Sequence, residues 1–573
     1  MPPGDARKSK IILYQMMTRL FGNVVTVNKP HGTKEENGVG KFNDITDKAL
    51  TEIKGLGVTH IWYTGVIEHA TLSDYPDLGI LADDADVVKG RAGSPYSIKD
   101  YYDVDPDLAV DVPNRMKEFE QLVDRTHRAG LQVVIDFVPN HVARKYKSDT
   151  KPEGVKDLGE EDDLTVGFRK DNNFYYLPGQ SFQPPRDHKP LGATIFANED
   201  RKFEETPAKV TGNGAMTPSP SANDWFEAVK INYGIDIFNN NAQSFNPVPN
   251  TWNKMLDILM YWSSKRVDGF RCDMAEMVPV EFWNWAVPQV KEKYPHVMFI
   301  AEIYQPAIYR DYIKKGHFDY LYDKVQLYDT LRLLMAQKSS SVAVAQIQQS
   351  LLGINANMVH FMENHDEHRI ASRFFAGDPW KAVPAMLVSA LIDPGPVMIY
   401  FGQEVGEPAL GAAGFGQDDG TTTRFDYWGV AEHQKWLNNK NYDGAALDDG
   451  QRALRLFYSD ILTLASTNPA IVAGEYVDLT ADNVSRGNFN DKIVVFGRVS
   501  GEERLIVIAN FNPVVTHVKV EVADSAAETL GLNRDNDYVG RDLLRSGTDV
   551  GLDGNLTFEV DVAPYNGLVL KIK

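Results

Sequence analysis

Eight short apolar runs punctuate the chain up to about residue 400, at 11–17, 59–63, 132–138, 267–272, 297–301, 318–322, 357–362 and 396–401. Each is of strand length and nearly continuous, the pattern of a parallel strand buried on both faces. Between several of them lie amphipathic stretches of helical period, at 115–129, 251–266 and 342–352. Eight strands alternating with helices predict an α/β fold, a closed (β/α)8 TIM barrel.

One interval is too long for this plan. Only one helix is needed between the third and fourth runs, yet roughly 130 residues intervene. Residues 142–224 are rich in Pro, Gly, Asn, Asp and charge, and carry Phe168, Phe174, Tyr175, Tyr176 and Phe182. A structureless loop of that length is improbable, so a small inserted domain is predicted there. The barrel then comprises 1–141 and 225–467. After residue 468 the pattern changes to apolar runs separated by turns, at 492–499, 505–511, 517–522, 556–562 and 567–572. These predict a C-terminal antiparallel β-sandwich domain over 468–573.

A chain of 573 residues has room for such a three-part organisation. Its formal charge of −20 argues against a nucleic-acid backbone or an anionic membrane as partner and is indifferent to a neutral ligand such as a sugar. The single cysteine, Cys272, excludes an intrachain disulfide. No apolar run is long enough to span a bilayer. The first residues lack the apolar core of a signal peptide. The expectation is a secreted or periplasmic protein whose signal segment is absent from this sequence, with a cytoplasmic location left open.

A barrel of this type carries its site at the C-terminal ends of its strands. The third run ends on Asp136, Asn140 and His141. The fourth ends on Arg271 and Asp273, the fifth on Glu302, and the seventh on Glu363, Asn364, His365 and Asp366. Each piece alone has an ordinary explanation. An Asp after a strand often caps a helix, and Arg271 with Asp273 could be a structural ion pair. Recurrence at four strand ends, in barrel order, points instead to one cluster. Glycosidic cleavage needs such a cluster: one carboxyl to protonate the leaving oxygen and another to meet the anomeric carbon. Arg271 and Asp273 are two positions apart, so they share a face, and the guanidinium can orient the carboxylate.

These segments resemble the signature regions of the α-amylase family, glycoside hydrolase family 13. Asp136, Asn140 and His141 match the first region, Arg271 and Asp273 the second, Glu302 the third, and His365 and Asp366 the fourth. Gly57 to Trp62 and Gly402 to Glu404 are similar to secondary regions. Tyr96 stands where the family often places an aromatic ring against the sugar to be cleaved. The resemblance implies Asp273 as nucleophile, Glu302 as acid/base and Asp366 as transition-state stabiliser, with Tyr96, Asp136, His141, Arg271 and His365 binding substrate. It implies a retaining enzyme acting on α-linked, mainly α-1,4, glucans or maltooligosaccharides. Transglycosylation with the same carboxylates is the alternative, and a non-catalytic sugar-binding homologue a further one. No cofactor is required for the chemistry. A structural calcium is implied at Asn140, completed by ligands from the insertion such as Asp162, Asp163 or Asp171.

Two departures qualify the likeness. Many endo-acting α-amylases carry Lys-His shortly after the nucleophile, where this chain has Met274, Ala275, Glu276 and Met277. Ahead of the second region, Lys230-Ile-Asn232 resembles the Lys-Leu-Asn of neopullulanases and cyclomaltodextrinases.

Overall fold

The computed structural model describes residues 9–185, 202–534, 536–544 and 546–573. Part of the insertion, 186–201, lies outside this set.

The eight apolar runs form eight parallel strands: β1 (Ile12–Met17), β2 (His60–Thr64), β3 (Gln132–Phe137), β4 (Gly269–Cys272), β5 (Met298–Ala301), β6 (Tyr320–Tyr322), β7 (Met358–Phe361) and β8 (Val397–Tyr400). They close in the order β1-β8-β7-β6-β5-β4-β3-β2. Nearly every strand residue is buried, because helices cover the outside and side chains fill the interior. The helix Arg115–Arg128 buries Phe119, Leu122, Val123 and Thr126, one stripe of helical period. The helix Asn250–Ser264 does the same with Trp252, Met255, Ile258, Leu259 and Trp262.

Gly57 shows how tightly these layers meet. Its φ is +90°, and a Cβ there would stand 2.7 Å from the backbone nitrogen of Thr463 in the helix Asp449–Thr467. Only glycine supplies both the conformation and the clearance ahead of β2.

The insertion leaves the barrel after β3, as expected. Its strand His141–Ala143 pairs antiparallel with Ala228–Lys230. Bridges Phe174–Ile231 and Thr211–Val229 extend that pairing, and a hairpin joins Ile235–Asp236 to Ala242–Gln243. Its sheet therefore runs beyond residue 224, almost to the helix at Asn250. Phe182, Phe203, Tyr175, Leu177 and Val210 make a small core of its own, with Phe168 packed against it.

The C-terminal domain is antiparallel. Its strands are β9 (Glu475–Asp478), β10 (Ile493–Ser500), β11 (Glu503–Asn510), β12 (Thr516–Glu521), β13 (Tyr538–Asp542), β14 (Asp549–Leu552), β15 (Thr557–Val562) and β16 (Asn566–Ile572). Six pair in the order β9-β10-β11-β16-β13-β14, and β12 pairs with β15. Val495, Ile508, Val518, Phe558 and Leu570 fill the space between. Arg498 is buried at the junction with the barrel, donating to the carbonyls of Ile392 (3.1 Å), Ala470 (3.1 Å) and Gly474 (2.6 Å). With Ile471 O at 3.3 Å as a fourth acceptor, the buried guanidinium keeps its donors occupied and ties the domains together.

Among the described residues no helix is long and apolar enough to cross a membrane.

Candidate active site

Register brings the first charged pair together. In the parallel pairing of β3 with β4, Arg271 is level with Asp136, and inward-pointing side chains at that level meet in the barrel mouth. Arg271 is fully buried. Its Nη1 donates to Asp273 Oδ1 at 2.7 Å and lies 3.4 Å from Asp136 Oδ1. Its Nη2 stands 2.7 Å from Glu302 Oε2, as an ion pair rather than an aligned hydrogen bond. Its Nε reaches Tyr322 OH at 3.3 Å, and Trp62 Nε1 donates to Asp136 Oδ2 at 3.0 Å. One guanidinium thus serves three carboxylates from β3, β4 and β5. Its planar fork suits that work where an ammonium would not.

Glu302 is held from both ends. Oε2 accepts from the backbone N–H of Met274 at 2.8 Å, and Oε1 accepts from Tyr304 OH at 2.6 Å. Met274 takes a left-handed φ of +44° at the turn just past β4. The segment that departs from the family's Lys-His pattern has a positioning role here. Glu276 Oε2 accepts from the N–H groups of Tyr304 (3.0 Å) and Gln305 (3.2 Å), anchoring the strand end that carries Glu302.

The third carboxylate has a different environment. Asp366 Oδ1 accepts from Arg424 Nη1 at 2.5 Å, and Oδ2 lies 3.0 Å from His365 Nε2. Gln15 Nε2, a donor, faces His365 Nδ1 at 2.8 Å, so the ring proton belongs on Nε2, toward Asp366. Tyr96 OH also reaches Nε2, at 2.7 Å, and its ring stacks on the imidazole at 5.2 Å between centroids. The Asp366 side chain remains 34% exposed, turned to the cleft.

Electrostatics separate these groups. Burial raises the Glu302 carboxyl above the ordinary glutamate value; Arg271 opposes this, while Asp273 and Asp366 reinforce it. Burial also raises Asp273, again against Arg271. Asp136 behaves alike. Asp366 goes the other way. Burial would raise it, but His365 and Arg424 outweigh that and hold it well below the carboxylate range.

The cleft over these groups has a volume of about 240 Å³. Its floor is Asp273, Glu302 and Asp366. Tyr96 and His365 close one side, and His141 and Trp225 another. The His141 and Trp225 rings are 5.1 Å apart. Burial lowers His141 to about 4, keeping it a neutral hydrogen-bonding group. Lys89, Ser94, Glu227, Met274, Tyr304, Arg424 and Phe425 complete the lining. The aromatic residues Phe168, Tyr175 and Phe182 of the insertion serve its core, and Trp225 is the ring that the insertion brings to the cleft. Thus Tyr96, His141, Asp273, Glu302, His365 and Asp366 all line one cleft, with Asp136 and Arg271 directly beneath.

Asn140 does not fit the calcium expected there. Its Oδ1, the one side-chain oxygen it could give a metal, accepts from Lys230 Nζ at 2.6 Å. Its Nδ2 donates to Gly212 O at 2.9 Å. A second cation at Oδ1 would face the Lys230 ammonium directly. The acidic residues expected to complete such a site hold neighbouring groups of the chain. Asp162 accepts from Asn173 N, Phe174 N and Tyr176 OH, Asp163 from Thr165, and Asp171 from Lys170 and Asn250 N. Lys230 belongs to the Lys-Ile-Asn motif. Asn232 of that motif donates to the carbonyls of Arg169 and Asn172, fastening the insertion to itself.

A closed barrel with an insertion after β3, and carboxylates from β4, β5 and β7 converging on one cleft, is the arrangement of a glycoside-processing barrel. The profile of the alpha amylase catalytic domain matches residues 30–424, and that of the alpha amylase C-terminal all-beta domain matches 484–573. The chain belongs to the alpha-amylase family. An alpha-amylase of Streptomyces lividans is 23% identical over 556 residues, covering 89% of this chain and 54% of that protein. Alpha-amylase MalA of Haloarcula japonica is 22% identical, covering 96% and 60%. A cyclomaltodextrin glucanotransferase of Geobacillus stearothermophilus is 23% identical, covering 69% and 49%. The chain thus spans between 49% and 60% of the length of these relatives. Among solved structures, a debranching enzyme of Nostoc punctiforme superposes with a TM-score of 0.63 at 18% identity, covering 98% of both chains. Maltogenic alpha-amylase AmyB of Thermotoga neapolitana gives 0.60 at 18%, with the same coverage.

Proposed function

We propose that this chain is a retaining glycoside hydrolase that cleaves α-glucosidic, mainly α-1,4, bonds in starch-derived glucans or maltooligosaccharides. The observation that carries the proposal is the Arg271 guanidinium, which touches both Asp273 and Glu302 at the base of the cleft. Two carboxyl groups held on one guanidinium stand close together, as a nucleophilic carboxylate and its acid/base partner must.

The steps follow from the groups present. Asp273, oriented by Arg271, attacks the anomeric carbon while Glu302 delivers its proton to the departing glycosidic oxygen. The carbon–oxygen bond breaks and a glycosyl ester of Asp273 forms. Glu302, now ionised, takes a proton from water. The resulting hydroxide displaces Asp273 and the sugar leaves with retained configuration. Asp366, kept anionic by His365 and Arg424, accepts sugar hydroxyls and favours the positive charge that develops on the ring. Tyr96 and Trp225 supply apolar faces for the sugar. A neutral substrate agrees with the charge of −20. AmyP, a structural relative with a TM-score of 0.61 at 18% identity, was solved with maltose, which supports an α-glucan as the occupant.

The test is release of chromophore from a chromogenic maltooligosaccharide, together with mass spectrometry after a fluorinated α-glucosyl donor. The expected results are turnover by the wild type, its loss in Asp273→Asn, and a glycosyl adduct on the peptide containing Asp273. Undiminished turnover in Asp273→Asn would defeat the proposal.

A further inference from the structure

The loop that follows β2 carries a second group of carboxylates, away from the cleft. The short strand Ile67–His69 pairs antiparallel with Ile98–Val104, and in that pairing Glu68 stands directly opposite Asp100. Like charges directly opposed across a strand pair are destabilising. Here two further acids join them. Glu68, Asp100, Asp103 and Asp149 each bring a ligand oxygen to within 4.8 Å of the other three. Glu68 is only 3% exposed, and its Oε2 is buried without a hydrogen-bond partner. Leaving such an oxygen unsatisfied is costly, and more so if it is charged.

We infer that Glu68, Asp100, Asp103 and Asp149 form a binding site for a divalent cation of the size of calcium. Ca²⁺ holds oxygens at about 2.3–2.6 Å, so ligands on opposite sides of one ion stand roughly 4.6–5.2 Å apart. The four oxygens all lie within 4.8 Å of one another, close enough to share one such ion. Mg²⁺ demands near-ideal octahedral geometry and is usually held by one or two carboxylates with several waters, so a cage of four protein carboxylates suits Ca²⁺ better. The donors are hard oxygens, as such an ion requires.

The charges around the group leave room for it. Arg115 pairs with Asp103 Oδ2 through Nε at 2.8 Å and through Nη2. Lys99 Nζ is turned away, toward Leu81 O at 2.9 Å and Asp83 Oδ2 at 3.2 Å. Asp100 and Asp103 each accept a backbone N–H at 2.7 Å, from Tyr102 and Val104. Asp100 Oδ2 also accepts from Asp149 N at 3.0 Å, Thr150 Oγ1 at 3.3 Å and Thr150 N at 3.4 Å. Each Oδ1 thus accepts a single N–H and keeps a lone pair for a metal. Without a cation, burial with Asp103 and Asp100 alongside pushes the Glu68 carboxyl up to about 9.

The site would join two parts of the fold. Glu68 lies in the first strand of this pair, Asp100 and Asp103 in the second, which begins just after Tyr96, and Asp149 belongs to the insertion. An ion there braces the Tyr96 segment against the insertion, on the flank of the cleft.

The test is made on the whole protein, stripped with EDTA and titrated with CaCl2 or MgCl2, reading Tm and calorimetric binding. The expected results are one calcium bound per chain and a Tm raised by about 2–6 °C at saturating calcium, with a smaller magnesium response. Glu68→Gln and Asp149→Asn should each abolish the calcium response. In EDTA, Glu68→Gln should melt close to the wild type, because the amide replaces a carboxyl that is already protonated without the cation. Asp149 is exposed, so Asp149→Asn remains informative if Glu68→Gln does not fold. Absence of calcium binding by the wild type would overturn the inference. So would a calcium response that survives in Asp149→Asn, since the ion would then sit elsewhere.

Discussion

Arg271 Nη1 and Asp273 Oδ1 are 2.7 Å apart on side chains two positions apart at the end of β4, and the other terminal nitrogen of the same guanidinium meets Glu302. One side chain therefore sets the relative position of two carboxyl groups that arrive on different strands. Lysine retains the charge but offers a single ammonium on a flexible stem. Arg271→Lys is expected to lower kcat by at least about a hundredfold, the scale of losing one strong preorganised contact, with a smaller change in KM. Steady-state kinetics on a maltooligosaccharide would check this, and kcat within a fewfold of wild type would count against the bridging role.

Asp366 separates charge from shape. Asp366→Asn keeps the outline of the side chain and removes the anion that His365 and Arg424 stabilise. A fall in kcat of about a hundredfold or more is expected, with KM changed modestly, because the contact strengthens as charge develops on the sugar. If Asp366 only capped the following turn, asparagine would serve as well. Near-wild-type turnover and Tm would then remove it from the catalytic set.

The pH dependence of kcat/KM reports on Glu302. Its raised proton affinity keeps it an acid beyond the ordinary glutamate range, and activity should fall as that proton is lost. Tyr304 OH donates to the ionised form and so works to lower this value. Tyr304→Phe removes the donor. The alkaline limb of the profile is therefore expected to move to higher pH, with the acidic limb less affected. A shift to lower pH would contradict the arrangement.

A separate buried network governs stability. His360 lies 3.0 Å from Asp393 and 3.4 Å from Asp323, both buried. Burial opposes its charge, but Asp393 and Asp323 prevail and push it up to about 9. A folded-state value above the unfolded one of about 6.5 means stability fully present below 6.5 and lost as pH rises through 9. The shift corresponds to about 3 kcal/mol. Lys10, lowered to about 7 by burial, imposes the opposite trend between 7 and its unfolded value, so the whole-protein profile mixes the two. Comparison with His360→Gln isolates the histidine. The deficit in urea-measured stability should be largest near pH 6 and shrink above pH 9. A deficit independent of pH would show that His360 is neutral throughout.

The barrel was legible because buried parallel strands leave an apolar signature, and the residue after each strand is where such a barrel keeps its chemistry. Asp136, Arg271, Asp273, Glu302, His365 and Asp366 were all reached that way. Arg424 was not, since it stands in a loop after β8 with no pattern of its own, and only the fold sets it beside Asp366. Gln15 reads as one more residue of a barrel strand until His365 is placed against it. The insertion's end was read too early because strands of two or three residues, such as Ala228–Lys230, carry no period. In the C-terminal domain β13 and β14 escaped for a related reason: both are short and half polar. The acidic group at Glu68 draws on positions more than eighty residues apart, which no local motif can signal.

The Lys230–Asn140 contact changes how the insertion is fastened to the barrel. A bound ion exchanges with the medium, and its occupancy follows concentration. An ammonium built into the chain has no off-rate and cannot be diluted or chelated away. Its hold is set by proton activity alone, and burial brings Lys230 to about 8, so mild alkali is the agent that would loosen this joint.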